Sequence, residues 1–136
     1  MFTAITLPIL LLTASYTDIK ERIIPDIICG LICLCALPDI TVVNVLGATL
    51  LLPLLVLGAL SDGIGGGDIK LVGAMGFALG YPDVLMTLVA GLSMMLMYHA
   101  VLTLIRKRNH EAVCIAYPMA PFLGVGYCIM LLLRIV

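Results

Sequence analysis

Long apolar runs alternate with short polar or helix-breaking separators along the whole chain. Most of the runs are long enough to form helices that cross a bilayer, whose hydrocarbon core is about 30 Å thick. The pattern predicts six helices: Phe2–Tyr16, Ile23–Leu37, Val42–Leu60, Ile69–Gly80, Asp83–Ile105 and Ala112–Ile135. The predicted separators are Asp18–Arg22, Pro38–Asp39, Ser61–Asp68, Tyr81–Pro82 and Arg106–Glu111.

The fourth run is short, because its residues span only about 18 Å as a helix. It either crosses the bilayer in a thinned or protein-lined region or turns back. If it crosses, six of the seven basic residues share one side: Lys20, Arg22, Lys70, Arg106, Lys107 and Arg108. Basic residues in short loops collect in the cytoplasm, so this bias favours six crossings with both termini outside. Small residues such as Gly73, Gly76 and Gly80 predict that the fourth helix contacts other helices rather than lipid.

The composition indicates that most of the protein's surface faces lipid instead of water. Of the 136 residues, 63% are hydrophobic and 11% are charged, whereas a soluble domain has roughly a quarter charged residues. The sequence therefore predicts an all-α integral membrane protein, with a single domain over residues 1–136 because no linker divides it. The net charge of −1 argues against a nucleic-acid partner. The cysteines and histidines lack the spacing of a metal site, so no metal and no cofactor is expected.

Two aspartates carry the candidate chemistry. Asp18 follows the first predicted helix, and Asp68 opens the fourth after three glycines. In the six-helix topology both lie at the cytoplasmic edge of the membrane. Two neighbouring carboxyl groups cannot both ionise easily, so the pair shares a proton near neutral pH. Such a pair can hydrolyse a peptide, since the ionised member activates water and the protonated member polarises the carbonyl.

Each aspartate also has a structural interpretation. Asp68 is suited to cap its helix by accepting a backbone N–H. Asp18 could close the first helix within a solvated cluster beside Lys20 and Arg22. Lys70 lies two residues beyond Asp68 and therefore points away from it on a helix, towards lipid headgroups or an acidic group of a substrate. Asp26 is given no role.

Three motifs together resemble the type IV prepilin peptidases. Asp18 followed by Ile24-Pro25 is similar to the first aspartate motif of that family, and Gly65-Gly66-Gly67-Asp68 with Lys70 is similar to its GxGD motif. The stretch from Tyr117 to Leu123 resembles the Pro-x-x-Pro-Phe-Leu sequence before the last helix. The motifs occur in the family's order and cover nearly the whole chain.

The resemblance implies a bundle of six transmembrane helices with a GxGD aspartic protease core in the inner membrane of a prokaryote. Its partners would be type IV pilin-like or flagellin-like precursors, whose basic leader is cut at a Gly beside the apolar helix. Asp18 and Asp68 would be catalytic, and Gly65 and Gly67 would let the backbone approach Asp68 closely. Pro25 and Lys70 would support the two motifs.

The sequence departs from many bacterial family members at its N-terminus. Those members carry an extra region with paired C-x-x-C motifs and an N-methyltransferase activity, and nothing here resembles it. The expected protein is the short, protease-only form, with its first apolar run retained as a helix and without methylation activity.

Two alternative functions use the same aspartates. A small transporter or proton-pathway subunit also places aspartates within a membrane, but it does not account for Ile24-Pro25 or for the glycines before Asp68. A presenilin-like intramembrane protease shares GxGD but also carries Tyr-Asp and Pro-Ala-Leu motifs. Here Asp18 follows Thr17, so this alternative ranks below the prepilin peptidases.

Overall fold

The structure is a computed structural model that describes residues 2–60, 65–107 and 118–135. These residues form helices and no strand. The helices are α1 (Phe2–Glu21), α2 (Asp26–Ala36), α3 (Val42–Ala48), α4 (Leu51–Leu60), α5 (Gly66–Leu79), α6 (Tyr81–Lys107) and α7 (Ala120–Ile135), with a 3-10 turn at Leu37–Asp39 after α2. The prediction of an all-helical protein is confirmed for this part of the chain.

The first and third predicted helices have different bounds in the structure. Helix α1 continues past its predicted end at Tyr16 as far as Glu21, so Asp18 lies within the helix rather than after it. The predicted third helix is divided into α3 and α4 by a turn at residues 49–50. Pro53 explains this break, because it has no N–H to donate to the carbonyl of Thr49 and is tolerated only in the first turn of α4.

The later boundaries also differ. The break before α6 lies at Gly80, which has a positive φ of 85°, rather than at Tyr81–Pro82. Pro82 falls in the first turn of α6, where a missing N–H has no consequence. Helix α7 begins at Ala120, after its predicted start at Ala112, which lies outside the described residues. A proline in the first turn of α7 is suited to that start.

Helix α5 forms the centre of the bundle. It packs against α2, α3, α4 and α6, and every residue from Leu71 to Gly76 is buried. A Cβ atom on either Gly47 or Gly76 would overlap the other glycine's carbonyl oxygen, so the backbones of α3 and α5 are in direct contact. The prediction that the small residues of the fourth helix meet other helices is therefore confirmed, and protein surrounds this short helix.

Asn44 closes the far end of α5. It is buried, and its Nδ2 donates to the carbonyl oxygens of Phe77 at 2.9 Å and of Ala78 at 3.3 Å. The last four carbonyls of a helix have no partner inside the helix. A side chain from α3 thus satisfies two of them where water is excluded.

The surface of the bundle is strongly apolar. Two helical segments in the described part of the chain are long and apolar enough to cross a membrane, Val42–Leu60 and Tyr81–Ile105, and few of their residues are buried inside the protein. Large apolar side chains are exposed elsewhere as well, including Leu12 at 71% and Ile27 at 75%. An apolar surface of this extent is typical of a protein that faces lipid.

Candidate active site

One end of the bundle gathers the predicted site residues. A cavity of about 350 Å³ is lined by the C-terminal part of α1, residues 22–24, Asp26 of α2 and the start of α5. Asp18 and Asp68 both line it. The structure therefore brings the two aspartates to the same level, as the six-helix topology predicts. We call this space the polar cavity.

Asp18 is held by the start of α7. It is only 7% exposed, and its Oδ2 accepts a hydrogen bond of 2.9 Å from the backbone N–H of Ala120. Helix N-termini carry unpaired N–H groups and partial positive charge, which stabilise a carboxylate. The interpretation of Asp18 as part of a solvated cluster is wrong. The proline-flanked motif before the last helix gains a structural role, since it sets where α7 begins.

Asp68 is not the cap of its helix. The N-cap position belongs to Gly65, whose carbonyl accepts the N–H of Asp68 at 3.0 Å, so the capping interpretation is wrong. A Cβ atom on Gly65 would lie 3.2 Å from Oδ2 of Asp68, whereas one on Gly67 would lie 3.2 Å from Cβ of Ile24. Gly65 thus gives the close approach to Asp68 that the motif predicts, and Gly67 lets α5 approach the Ile24-Pro25 motif.

The two carboxyl groups have different surroundings. Burial, and then the negative charge of Asp18, raise the pKa of Asp68 from 3.8 to about 6. Asp68 lies outside both segments that are apolar enough to cross a membrane. A carboxyl group with a raised pKa keeps its proton up to a higher pH than an ordinary aspartate does. Asp18 instead accepts a hydrogen bond from a backbone N–H, so the two carboxyl groups in the cavity are not equivalent.

Lys70 pairs with Asp26, a residue to which the sequence pattern gave no role. Its Nζ lies 2.8 Å from Oδ1 and 2.9 Å from Oδ2 of Asp26. Lys70 thus hydrogen-bonds to Asp26 of α2 rather than to Asp68. Pro25 is the N-cap residue of α2, with φ −62°, and so starts the helix whose first residue is Asp26. The only feature of the sequence that pointed to the Lys70–Asp26 pair is that each of the two residues adjoins one of the aspartate motifs.

The candidate site contains carboxylates but no evident metal-binding group. Within residues 2–60, 65–107 and 118–135, no three His, Cys, Asp or Glu side chains are grouped so that they could hold a metal ion. The carboxyl groups that line the cavity can perform acid–base chemistry.

This helical fold and its pair of aspartates are typical of one class of protein, the membrane-embedded peptidases. The sequence model of the type IV leader peptidase family matches residues 5–101. This match spans more than half of the chain, and the chain belongs to that family. The matched residues include Asp18 and Asp68 but not the motif that contains Ala120. No curated protein and no solved structure matches the chain significantly.

Proposed function

We propose that this peptidase is an aspartic endopeptidase that removes the basic leader of type IV pilin-like or flagellin-like precursors at the membrane edge. The observation that carries the proposal is the placement of Asp18 and Asp68 in one polar cavity. Their unlike environments give the two carboxyl groups different tasks. Membership of the type IV leader peptidase family supports leader removal as the reaction.

The proposed reaction uses one water molecule and both carboxyl groups. The Asp18 carboxylate takes a proton from water while the oxygen of that water bonds to the scissile carbonyl carbon. Protonated Asp68 donates a hydrogen bond to the carbonyl oxygen as negative charge develops there. The C–N bond then breaks, and the proton held by Asp18 passes to the leaving amine. The Ala120 N–H stabilises the charged form of Asp18 at the start of the cycle.

A glycine at the cleavage point suits this reaction. Peptide bonds within a helix are shielded by their own hydrogen bonds, and the substrate must unwind before water can attack. Glycine destabilises a helix by about 1 kcal/mol relative to alanine, so local unwinding is easiest there. Gly65 and Gly66 line the polar cavity beside Asp68 and place no side chain in it, which leaves space for an unwound backbone.

The transporter alternative has no support in the site. Asp18 and Asp68 share a cavity at one end of the bundle rather than forming a series across it, as a proton pathway requires. Membership of a peptidase family also favours hydrolysis. No contact of the described site residues favours the presenilin-like alternative over a prepilin peptidase.

The proposed location is the inner membrane of a prokaryote, with the polar cavity at the cytoplasmic side and both termini outside. Thiol labelling tests this orientation in a protein whose five native cysteines have been replaced. We expect Glu21→Cys and Lys107→Cys to react from the cytoplasmic side and Asp39→Cys to react from the outside. Labelling of positions 21 and 107 from opposite sides would contradict the six-helix topology.

Cleavage by the purified chain tests the proposed function directly. Protein in lipid vesicles should convert a pilin-like precursor with a basic leader into two products, and mass spectrometry should find one new N-terminus beside the apolar helix. A precursor whose glycine at that point is replaced by leucine serves as the matched control and should be cut much more slowly. A wild-type chain that leaves both precursors intact would refute the proposal.

A further inference from the structure

A second cavity extends along the bundle beside α2. It has a volume of about 640 Å³ and lies between α2 and α5, with Leu51 of α4 on its border. Its other lining residues include Gly30, Cys33 and Leu34 of α2 and Phe77 of α5. We call it the apolar groove, because all of these side chains are apolar or small.

The apolar groove adjoins the polar cavity. Asp26 and Lys70 line both spaces, so their ion pair stands at the junction. Along α2 the groove extends from Asp26 to Leu37, a distance of about 16 Å at the helical rise. This is roughly half of the hydrocarbon thickness of a bilayer. An extended molecule could therefore run from the two aspartates down into the membrane without leaving the protein surface.

We propose that the apolar groove binds the apolar helix of the precursor immediately beyond the scissile bond. This inference rests on the proposed function, which requires one side of the scissile bond to be apolar. That side must lie on an apolar surface that adjoins Asp18 and Asp68. The apolar groove meets this requirement through the junction at Asp26 and Lys70.

Gly30 makes the groove suitable for a helix. A Cβ atom on Gly30 would have no heavy atom within 4 Å, so this part of α2 presents bare backbone to open space. Small residues allow the backbones of two membrane helices to approach closely and gain van der Waals contact. The glycine is not required by packing within the protein, in contrast to Gly47 and Gly76.

The ion pair at the junction can yield to a passing chain. The side chains of Lys70 and Asp26 are 55% and 74% exposed. Exposed ion pairs contribute little to stability because water screens the two charges, so an incoming polar group can replace either partner. The junction is therefore a polar passage between the two spaces and not a fixed barrier.

Disulfide cross-linking tests the position of the substrate helix. Cys33 lines the apolar groove, whereas Cys35 lies on the same helix outside the groove and is also partly exposed. Two proteins with one cysteine each, Cys33 or Cys35, are made catalytically inactive by Asp68→Asn. Each is mixed with a precursor that has one cysteine about two turns beyond the scissile bond, and copper phenanthroline is the oxidant. We expect cross-linking to Cys33 at least fivefold above that to Cys35, and equal yields would overturn the proposal.

A steric block tests whether this contact serves cleavage. Gly30→Trp fills the groove, and Leu31→Trp is the matched control, because Leu31 is exposed and lies outside the groove lining. We expect Gly30→Trp to raise KM about tenfold or more for the full precursor and to leave cleavage of a short leader peptide without the apolar helix unchanged. Leu31→Trp should leave KM unchanged for both substrates.

The outcomes separate this inference from the proposed function. Unchanged KM for the full precursor in Gly30→Trp would show that the groove holds lipid chains instead, and equal losses on both substrates would indicate damage to the polar cavity. Either result overturns the inference while cleavage by the wild type stands. Cross-linking at Cys33 without any cleavage by the wild type would instead refute the proposed function and retain the groove as a helix-binding site.

Discussion

Asp18→Asn and Asp68→Asn are each expected to reduce leader cleavage by a factor on the order of a thousand or more, since each removes one half of the proton transfer. Asparagine has nearly the same size as aspartate. The amide oxygen of Asn at position 18 can still accept the hydrogen bond from the Ala120 N–H. The amount of folded protein in the membrane should therefore change little. The measurement is the initial rate of precursor cleavage by purified variants in lipid vesicles, with thermal stability recorded in parallel.

The double variant shows whether the two residues act together. Groups that activate one water molecule as a unit have effects that do not add. Asp18→Asn/Asp68→Asn should therefore be no slower than either single variant. Asp39→Asn is the matched control, because Asp39 is an aspartate in the turn that follows α2, and it should retain wild-type activity. Substantial cleavage by either single variant would contradict the aspartic mechanism while leaving family membership intact.

Gly76→Ala is expected to destabilise the protein by roughly 3 kcal/mol, at or above the upper end of the range for overpacked interiors. The added Cβ would overlap the backbone carbonyl of Gly47, and a backbone atom cannot move aside as a flexible side chain can. The α3–α5 contact would have to separate along its length. The free energy of unfolding in detergent micelles measures this effect.

Gly30→Ala is the matched control and should raise the free energy of unfolding instead of lowering it. Its Cβ would meet no heavy atom within 4 Å. Alanine in a helix is more stable than glycine by about 0.5–1 kcal/mol, so we expect a gain of that size. Equal destabilisation by the two variants would show that α3 and α5 are not in backbone contact. Normal stability of Gly76→Ala would lead to the same conclusion.

The hydrophobic pattern predicted where helices occur better than where they end. The apolar runs predicted the helical segments in their correct order, because lipid requires long apolar helices whatever their packing. The end of α1 was predicted too early, because the polar residues Asp18 and Lys20 look like the start of a loop. Only the structure shows that Asp18 is buried against the first residue of α7. The break between α3 and α4 was also missed, because the run is apolar throughout and only Pro53 marks the change.

The central place of α5 was predictable for a physical reason. A short helix rich in small residues is too short to span the hydrocarbon core of a bilayer by itself. It is suited to close contact with other helices. The partner in that contact was not predictable, because Gly47 lies in an apolar run with nothing to mark it as the residue that meets Gly76. Asn44 is a similar case, since its role depends on where the end of α5 lies in space.

By itself the sequence determined the helical membrane fold, the two aspartates and the motifs that place the chain among leader peptidases. Only the tertiary structure decided what each site residue contacts. Asp18 meets the N–H of a residue 102 positions away, and Lys70 meets an aspartate 44 positions away. Periodicity records which face of one helix is apolar. The rotation and depth of that helix against its neighbours depend on the packing of all of them together, and those two variables set the surroundings of both carboxyl groups.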